Sequence, residues 1–200
     1  MIYVFLAEGF EEIEALAAVD VLRRARLEVQ TVGVGGRKIT GSHGITVVCD
    51  LVDDEARIDR LEMVVLPGGV PGTPNLEASP VVQRFVDYAA QNGLWLAAIC
   101  AAPSILGHKG LLDGLEATAN PGFQDQLGAA RLSGDYVCVD GRFVTARGMG
   151  VAVDFGLKLV EVLTDAARAG EIRAALQCRA ERSGRSSSGC ARRSRIGGAQ

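Results

Sequence analysis

Leu94-Trp95-Leu96-Ala97-Ala98-Ile99-Cys100-Ala101-Ala102-Pro103-Ser104-Ile105-Leu106 is the stretch from which the fold can be read. The apolar run 94–99 reads as a buried parallel strand, because such strands are covered on both faces and do not alternate. The residues from Ala101 to His108 read as a helix. Cys100 lies at the corner between them. Unpaired N–H groups of the helix then lie near its sulfur and favour the thiolate. Ala98, Ala101 and Ala102 are small enough for a sharp turn of the nucleophile-elbow kind. A buried core cysteine is the competing reading.

Outward from this corner, strands alternate with helices. Strands are expected at Ile2–Leu6, Glu28–Val34, Met63–Leu66 and Leu94–Ile99. Helical spacing runs through Glu11–Arg24, with apolar residues at Ile13, Leu16, Ala17, Val19 and Leu22. Further helices are expected at Val81–Ala90, Ala101–His108, Met149–Leu163 and Asp165–Leu176. Hairpins are expected around Gly41-Ser42-His43-Gly44 and Asp140-Gly141. This alternation predicts an α/β fold, a doubly wound parallel sheet with helices on both faces. Its site should lie outside the carboxyl ends of the strands. Ala7-Glu8-Gly9, Pro67-Gly68-Gly69 and Cys100 all fall there.

Two hundred residues suit one domain, expected over 1–176, with an Arg/Ser/Gly-rich disordered tail at 177–200. From residue 178 onward, six arginines face one glutamate, leaving 1–177 at net −8. An acidic body with a short basic tail excludes a dedicated nucleic-acid domain. The tail is either a weak surface arm or an extension foreign to the domain. No apolar stretch is long enough to span a membrane, and the N-terminus enters a strand without a basic leader. A cytoplasmic protein is therefore expected. The five cysteines show no CxxC or zinc spacing, so free thiols and no metal are expected. Gly33-x-Gly35-Gly36 is not a dinucleotide fingerprint, and no phosphate loop occurs. No cofactor is expected.

Four segments carry a family resemblance: AEGFEEIEALAAVDVLRRA (7–25), VVLPGGVPGTPNL (64–76), AAICAAP (97–103) and TARGMGVAVDFGLKLVEVL (145–163). In combination the chain resembles the ThiJ/PfpI superfamily from Met1 to about residue 176. More closely it resembles the branch of the parkinsonism-associated protein deglycase and its bacterial relatives. The resemblance implies a flavodoxin-like homodimer with an oxidation-prone cysteine at Cys100. It also implies a carboxylate partner at Glu14, for which Glu8, Glu11 and Glu12 compete on sequence alone. Such a carboxyl, once protonated, donates to a thiolate, raising its own pKa and lowering that of the thiol.

Gly68 and Gly69 follow a buried strand, and glycine lets backbone approach a ligand closely. The N–H groups of Gly69 and Ala101 are expected to form an oxyanion pocket, against the alternative of a simple strand-ending turn. Many members of the superfamily carry a histidine where this chain has Asn120. That departure argues against a Cys–His protease or amidase, because an asparagine orients a substrate but accepts no proton. Arg147 is expected either to hold a carboxylate or oxidised sulfur, or to lie on the surface. His43 and His108 are expected to be structural, and Cys49 and Cys138 to be core residues.

Three functions fit these expectations. The first is a cofactor-free glyoxalase or deglycase acting on methylglyoxal-type 2-oxoaldehydes or early glycation adducts of proteins and nucleotides, in defence against carbonyl stress. The second is a redox-sensing chaperone or stress-response protein switched by oxidation of Cys100. A protease ranks last.

Overall fold

Strand β1 (Ile2–Leu6) shows why the chain forms three layers. Ile2, Val4 and Leu6 join one apolar cluster, Tyr3 and Phe5 another, and all five are buried. A strand buried on both sides must be covered twice. The computed structural model describes residues 1–178; all but the first two residues of the expected tail lie outside them.

After β1 come α1 (Glu12–Arg24), β2 (Val29–Gly33), β3 (Lys38–Thr40), β4 (Thr46–Val48), β5 (Leu51–Val52) and β6 (Met63–Leu66). Then follow α2 (Gly72–Ala78), α3 (Pro80–Gln91), β7 (Trp95–Ile99), α4 (Pro103–His108), β8 (Glu116–Ala117) and β9 (Arg131–Leu132). The described chain closes with β10 (Val137–Asp140), β11 (Phe143–Ala146), α5 (Ala152–Leu163) and α6 (Ala166–Ala175). The main sheet runs β10-β11-β7-β6-β1-β2-β5, parallel throughout except for β10, which lies antiparallel on β11. Helices α1, α5 and α6 cover one face through Ala15, Leu22, Phe155, Val160 and Ile172. Helices α2, α3 and α4 cover the other through Leu76, Phe85, Val86, Ile105 and Leu106. Phe85 meets Tyr3 and Phe5 edge-on, with ring centroids 5.5 and 5.2 Å apart. This is the doubly wound sheet that the alternation predicts, and the flavodoxin-like fold that the resemblance implies.

The chain winds from β1 out to β5, then returns to β6 on the other side of β1. The order reverses at β1/β6, and the strand ends beside that switch point frame the crevice where open sheets bind ligands. Among the described residues no helix is long and apolar enough to cross a membrane.

Several boundaries differ from expectation. The helix after Cys100 starts at Pro103, not Ala101, because proline fixes the first turn and residues 100–102 form the corner itself. The first turn of the Met149–Leu163 segment is a 3₁₀ turn, Met149–Val151. The prolines after Gly69 lead into helix α2 from Gly72 onward, with Pro74 in its first turn, where no N–H is required. Two-residue strands β5, β8 and β9 carry too little pattern to be read.

Helix α1 departs most from expectation. Ile13 and Leu16 are exposed, while Glu12 and Glu14 are buried. The Glu12 carboxylate sits under the β3–β4 turn. Its Oε1 accepts the His43 N–H at 2.7 Å, and its Oε2 lies 3.0 Å from His43 Nδ1. Burial alone would raise its pKa, but the His43 ring and the N–H groups of His43 and Ile45 outweigh it and hold the carboxyl at about 2. A folded-state pKa below the unfolded one gives stability that is present above the ordinary carboxylate range and lost as pH falls toward 2. Glu12→Gln should therefore cost about 1–3 kcal/mol at pH 6. That deficit should shrink by pH 3, as urea unfolding of both proteins at the two pH values will show.

Candidate active site

Strand β7 ends at Cys100, whose φ of +65° lies in the left-handed region. A residue other than glycine is strained there by about 1–3 kcal/mol, and such strain gathers at functional corners. Two main-chain bonds grip the corner. The Cys100 N–H donates to the Ala146 carbonyl at 2.8 Å, and the Cys100 carbonyl accepts from the Asn120 N–H at 2.9 Å. The thiol is thereby turned out of the sheet toward the first turn of α1.

Four acids compete there in sequence, and the helix phase separates them. Glu8 accepts the Thr40 N–H, Glu11 caps α1 through the Glu14 N–H at 2.7 Å, and Glu12 pins the hairpin. Glu14 alone turns toward the sulfur, and it is 1% exposed. Its Oε2 accepts the Gly68 N–H at 2.9 Å. Its Oε1 is buried without a hydrogen-bond partner of ordinary geometry.

The convergence of the site is visible at Gly148. A methyl group built there would stand 3.7 Å from Glu14 Oε1, 3.8 Å from Cys100 Sγ and 3.8 Å from Asn120 Nδ2. Three chemically distinct atoms from three segments thus share one small space. Beside it lies a cleft of about 300 Å³, lined by Asn120, Tyr136, Arg147 and residues 148–151, which has Asn120 and Gly148 in common with that space. The backbone N–H groups of Ala101 and Gly69 both face the Cys100 sulfur. Gly69 lies at φ +99°, and a Cβ there would strike the backbone of Gly9, Phe10 and Glu11. Only glycine brings that N–H so close.

The proton balance differs in part from the sequence reading. Burial, with help from the Glu11 charge, raises the Glu14 carboxyl to about 7 against the opposing bonds from Cys100 and Gly68. The thiol is not lowered. Burial, and then the Glu14 carboxylate beside it, push Cys100 up to about 12, and the N–H groups of Ala101 and Gly69 only partly offset this. The resting pair is a thiol beside a carboxyl that titrates near neutrality.

The remaining expectations sort clearly. Arg147 Nη2 donates to the Gly134 carbonyl at 3.0 Å, and its Nε donates to Thr118 Oγ1 at 3.3 Å. Its guanidinium carbon lies 4.8 Å from the centroid of the Tyr136 ring. Arg147 thus lines the cleft mouth and braces the wall, and none of these contacts is to Cys100. His43 is held by Glu12, and His108 Nδ1 lies 2.6 Å from Glu77 Oε1, so both are engaged elsewhere. Cys49 and Cys138 are buried, as expected. Tyr136, Met149 and Val151 had no signal in the sequence, because their part is set by where β10 and the 3₁₀ turn end.

Gly68 keeps the pair together. A Cβ there would lie 2.7 Å from both Cys100 Cβ and Glu14 Oε2. Gly68→Ala should push the carboxyl off its N–H, cost about 1–3 kcal/mol of stability and slow thiol alkylation by iodoacetamide. Thermal melts and alkylation rates check both outcomes.

Comparison with known proteins agrees with this geometry. The sequence pattern of the DJ-1/PfpI family matches residues 1–162. The chain is 35% identical over 178 residues to Protein DJ-1 homolog A of Arabidopsis thaliana, covering 87% of this chain and 45% of that one. It is 35% identical over 179 residues to the Parkinson disease protein 7 homolog of Danio rerio, covering 86% and 94% of the two chains. It is 30% identical over 158 residues to the glutathione-independent glyoxalase DJR-1.2 of Caenorhabditis elegans, covering 78% and 84%. Among solved structures, oxidized Toxoplasma gondii DJ-1 superposes with a TM-score of 0.85 at 34% identity, covering 88% of this chain and 97% of that one. With fold, corner and sequence in agreement, the chain belongs to the DJ-1/PfpI family.

Proposed function

We propose that this protein is a cofactor-free glyoxalase that converts methylglyoxal-type 2-oxoaldehydes to 2-hydroxy acids, and that it removes early glycation adducts by the same attack. The observation that carries the reading is the buried Glu14 carboxyl against the Cys100 thiol, with a pKa near the operating pH. That value is where a general base works best. The glyoxalase name of the C. elegans relative supports the same chemistry.

The steps balance without an external oxidant. The sulfur adds to the aldehyde carbon as the thiol proton passes to Glu14 and then to the new oxygen. The N–H groups of Gly69 and Ala101 hold that oxygen while it is negative. Glu14, again ionised, takes the proton from C1 and passes it to the C2 oxygen, giving an enediol. It then takes the C1 hydroxyl proton and returns it at C2, leaving a carbonyl at C1 and a hydroxyl at C2. The resulting thioester is cleaved by water, releasing the hydroxy acid and the thiol. One 2-oxoaldehyde and one water give one hydroxy acid. The test is lactate formation from methylglyoxal by the purified protein without glutathione; no lactate sinks the proposal.

A redox-regulated chaperone or stress role has one observation in its favour: the N–H pair facing the sulfur would also hold a sulfinate oxygen. We place the protein in the cytoplasm as a homodimer. Ile13 and Leu16 on α1, with Ile45 bonded to the adjoining Glu12, give an exposed apolar face for a second copy. Sedimentation of the wild type and of Ile13→Arg tests the pairing; a monomeric wild type refutes it.

A further inference from the structure

Asn120 has a feature that the proton cycle above does not use. Its Oδ1 accepts the Gly122 N–H at 3.1 Å and caps the 3₁₀ turn Pro121–Gln126. That bond fixes which way the amide points. Nδ2 is left facing the space it shares with Cys100 Sγ and Glu14 Oε1. Its backbone N–H is tied to the Cys100 carbonyl, so the amide and the thiol are parts of one rigid unit.

A 2-oxoaldehyde carries two adjacent carbonyl oxygens. When the sulfur has added at C1, the first oxygen faces the N–H groups of Gly69 and Ala101. The second, on C2, then needs a donor of its own, because it becomes an enediolate oxygen as Glu14 removes the C1 proton. We propose that Asn120 Nδ2 is this donor and a catalytic residue: it binds the C2 oxygen and makes the site select adjacent dicarbonyls over simple aldehydes. This rests on the glyoxalase reading and assigns its second oxygen. An asparagine neither takes nor gives a proton at neutral pH, so Glu14 carries every proton in the cycle and Asn120 carries only charge. Both carbonyl oxygens are then met by neutral N–H donors.

The test compares wild type with Asn120→Ala and Asn120→Asp. Methylglyoxal turnover and iodoacetamide alkylation of Cys100 are measured on each. Asn120→Asp keeps an oxygen to cap Gly122 but loses the donor. Removal of one such donor costs about 10²–10³-fold in kcat. Both variants should lose at least about 10²-fold in kcat. Asn120→Ala should alkylate within about threefold of wild type, since the thiol and its base are untouched. Turnover by Asn120→Ala within threefold of wild type overturns the proposal. So does an equal fall in turnover and alkylation, which would mark Asn120 as a mere brace of the corner. A wild type inert to methylglyoxal overturns the glyoxalase reading, and the assignment of Asn120 with it. The first two outcomes leave the glyoxalase reading standing.

Discussion

Cys100→Ser is expected to abolish conversion of methylglyoxal to lactate, by at least about 10³-fold in kcat, while the protein stays folded. Serine fits the same corner and loses only the nucleophilic sulfur. At a buried position whose neighbour is a carboxylate, a hydroxyl is far harder to ionise than a thiol. The protein offers a built-in control. Cys49, just after β4, and Cys138, on β10, are buried away from the site; burial, with the Asp50 charge, pushes Cys49 up to about 11, and burial raises Cys138 as well. Cys49→Ser and Cys138→Ser should keep turnover within about threefold, at a stability cost of about 1–3 kcal/mol for placing a hydroxyl in the core. Lactate assays and urea melts on the three variants suffice. Residual turnover above a tenth in Cys100→Ser would exclude the covalent route.

Glu14→Gln should give the second large effect, and in two directions at once. Turnover should fall by about 10²–10⁴-fold, the range for loss of a general base. Stability should rise. The Glu14 carboxyl is raised in the folded protein, so its contribution is whole below the ordinary carboxylate range and is lost as pH climbs through about 7. Above neutrality the wild type carries the full cost of a buried carboxylate, on the order of 3 kcal/mol. At pH 8 the glutamine variant should therefore be the more stable protein, and at pH 4 the two should be alike. The wild-type rate should rise with pH and level off above about 7, with no second ionisation near neutrality. Equal melting temperatures at pH 8 would show that the carboxyl is not paid for in stability.

How much of this was legible in the sequence varies by element. The strands around Met63–Leu66 and Leu94–Ile99 were plain, because burial on both faces leaves unbroken aliphatic runs bounded by glycine or cysteine. The corner at Cys100 was legible from the small residues that flank a cysteine between strand and helix, but on position alone a core cysteine competed with it, and the helix begins at Pro103. The carboxylate partner was legible only through the family resemblance. Residue by residue, α1 reads as a helix burying Ile13 and Leu16, and the structure turns those outward and the acids inward. No local rule predicts these buried glutamates, since the burial of Glu14 is compensated by Gly68 and that of Glu12 by the β3–β4 turn, both distant in sequence. The thiol's proton balance was misjudged because the helix amides were weighed and the burial was not. Of the cleft walls, Asn120 and Arg147 were legible through the resemblance, whereas Tyr136, Met149 and Val151 were not, because the ends of β10 and of the 3₁₀ turn bring them there.

The backbone of Cys100 is gripped by main-chain bonds, from Ala146 and Asn120. Nearly any residue at those two positions can supply a carbonyl or an N–H, so the aim of the nucleophile is insulated from drift in the surrounding side chains. Substitutions in the cleft walls can therefore change what the site admits without moving the sulfur.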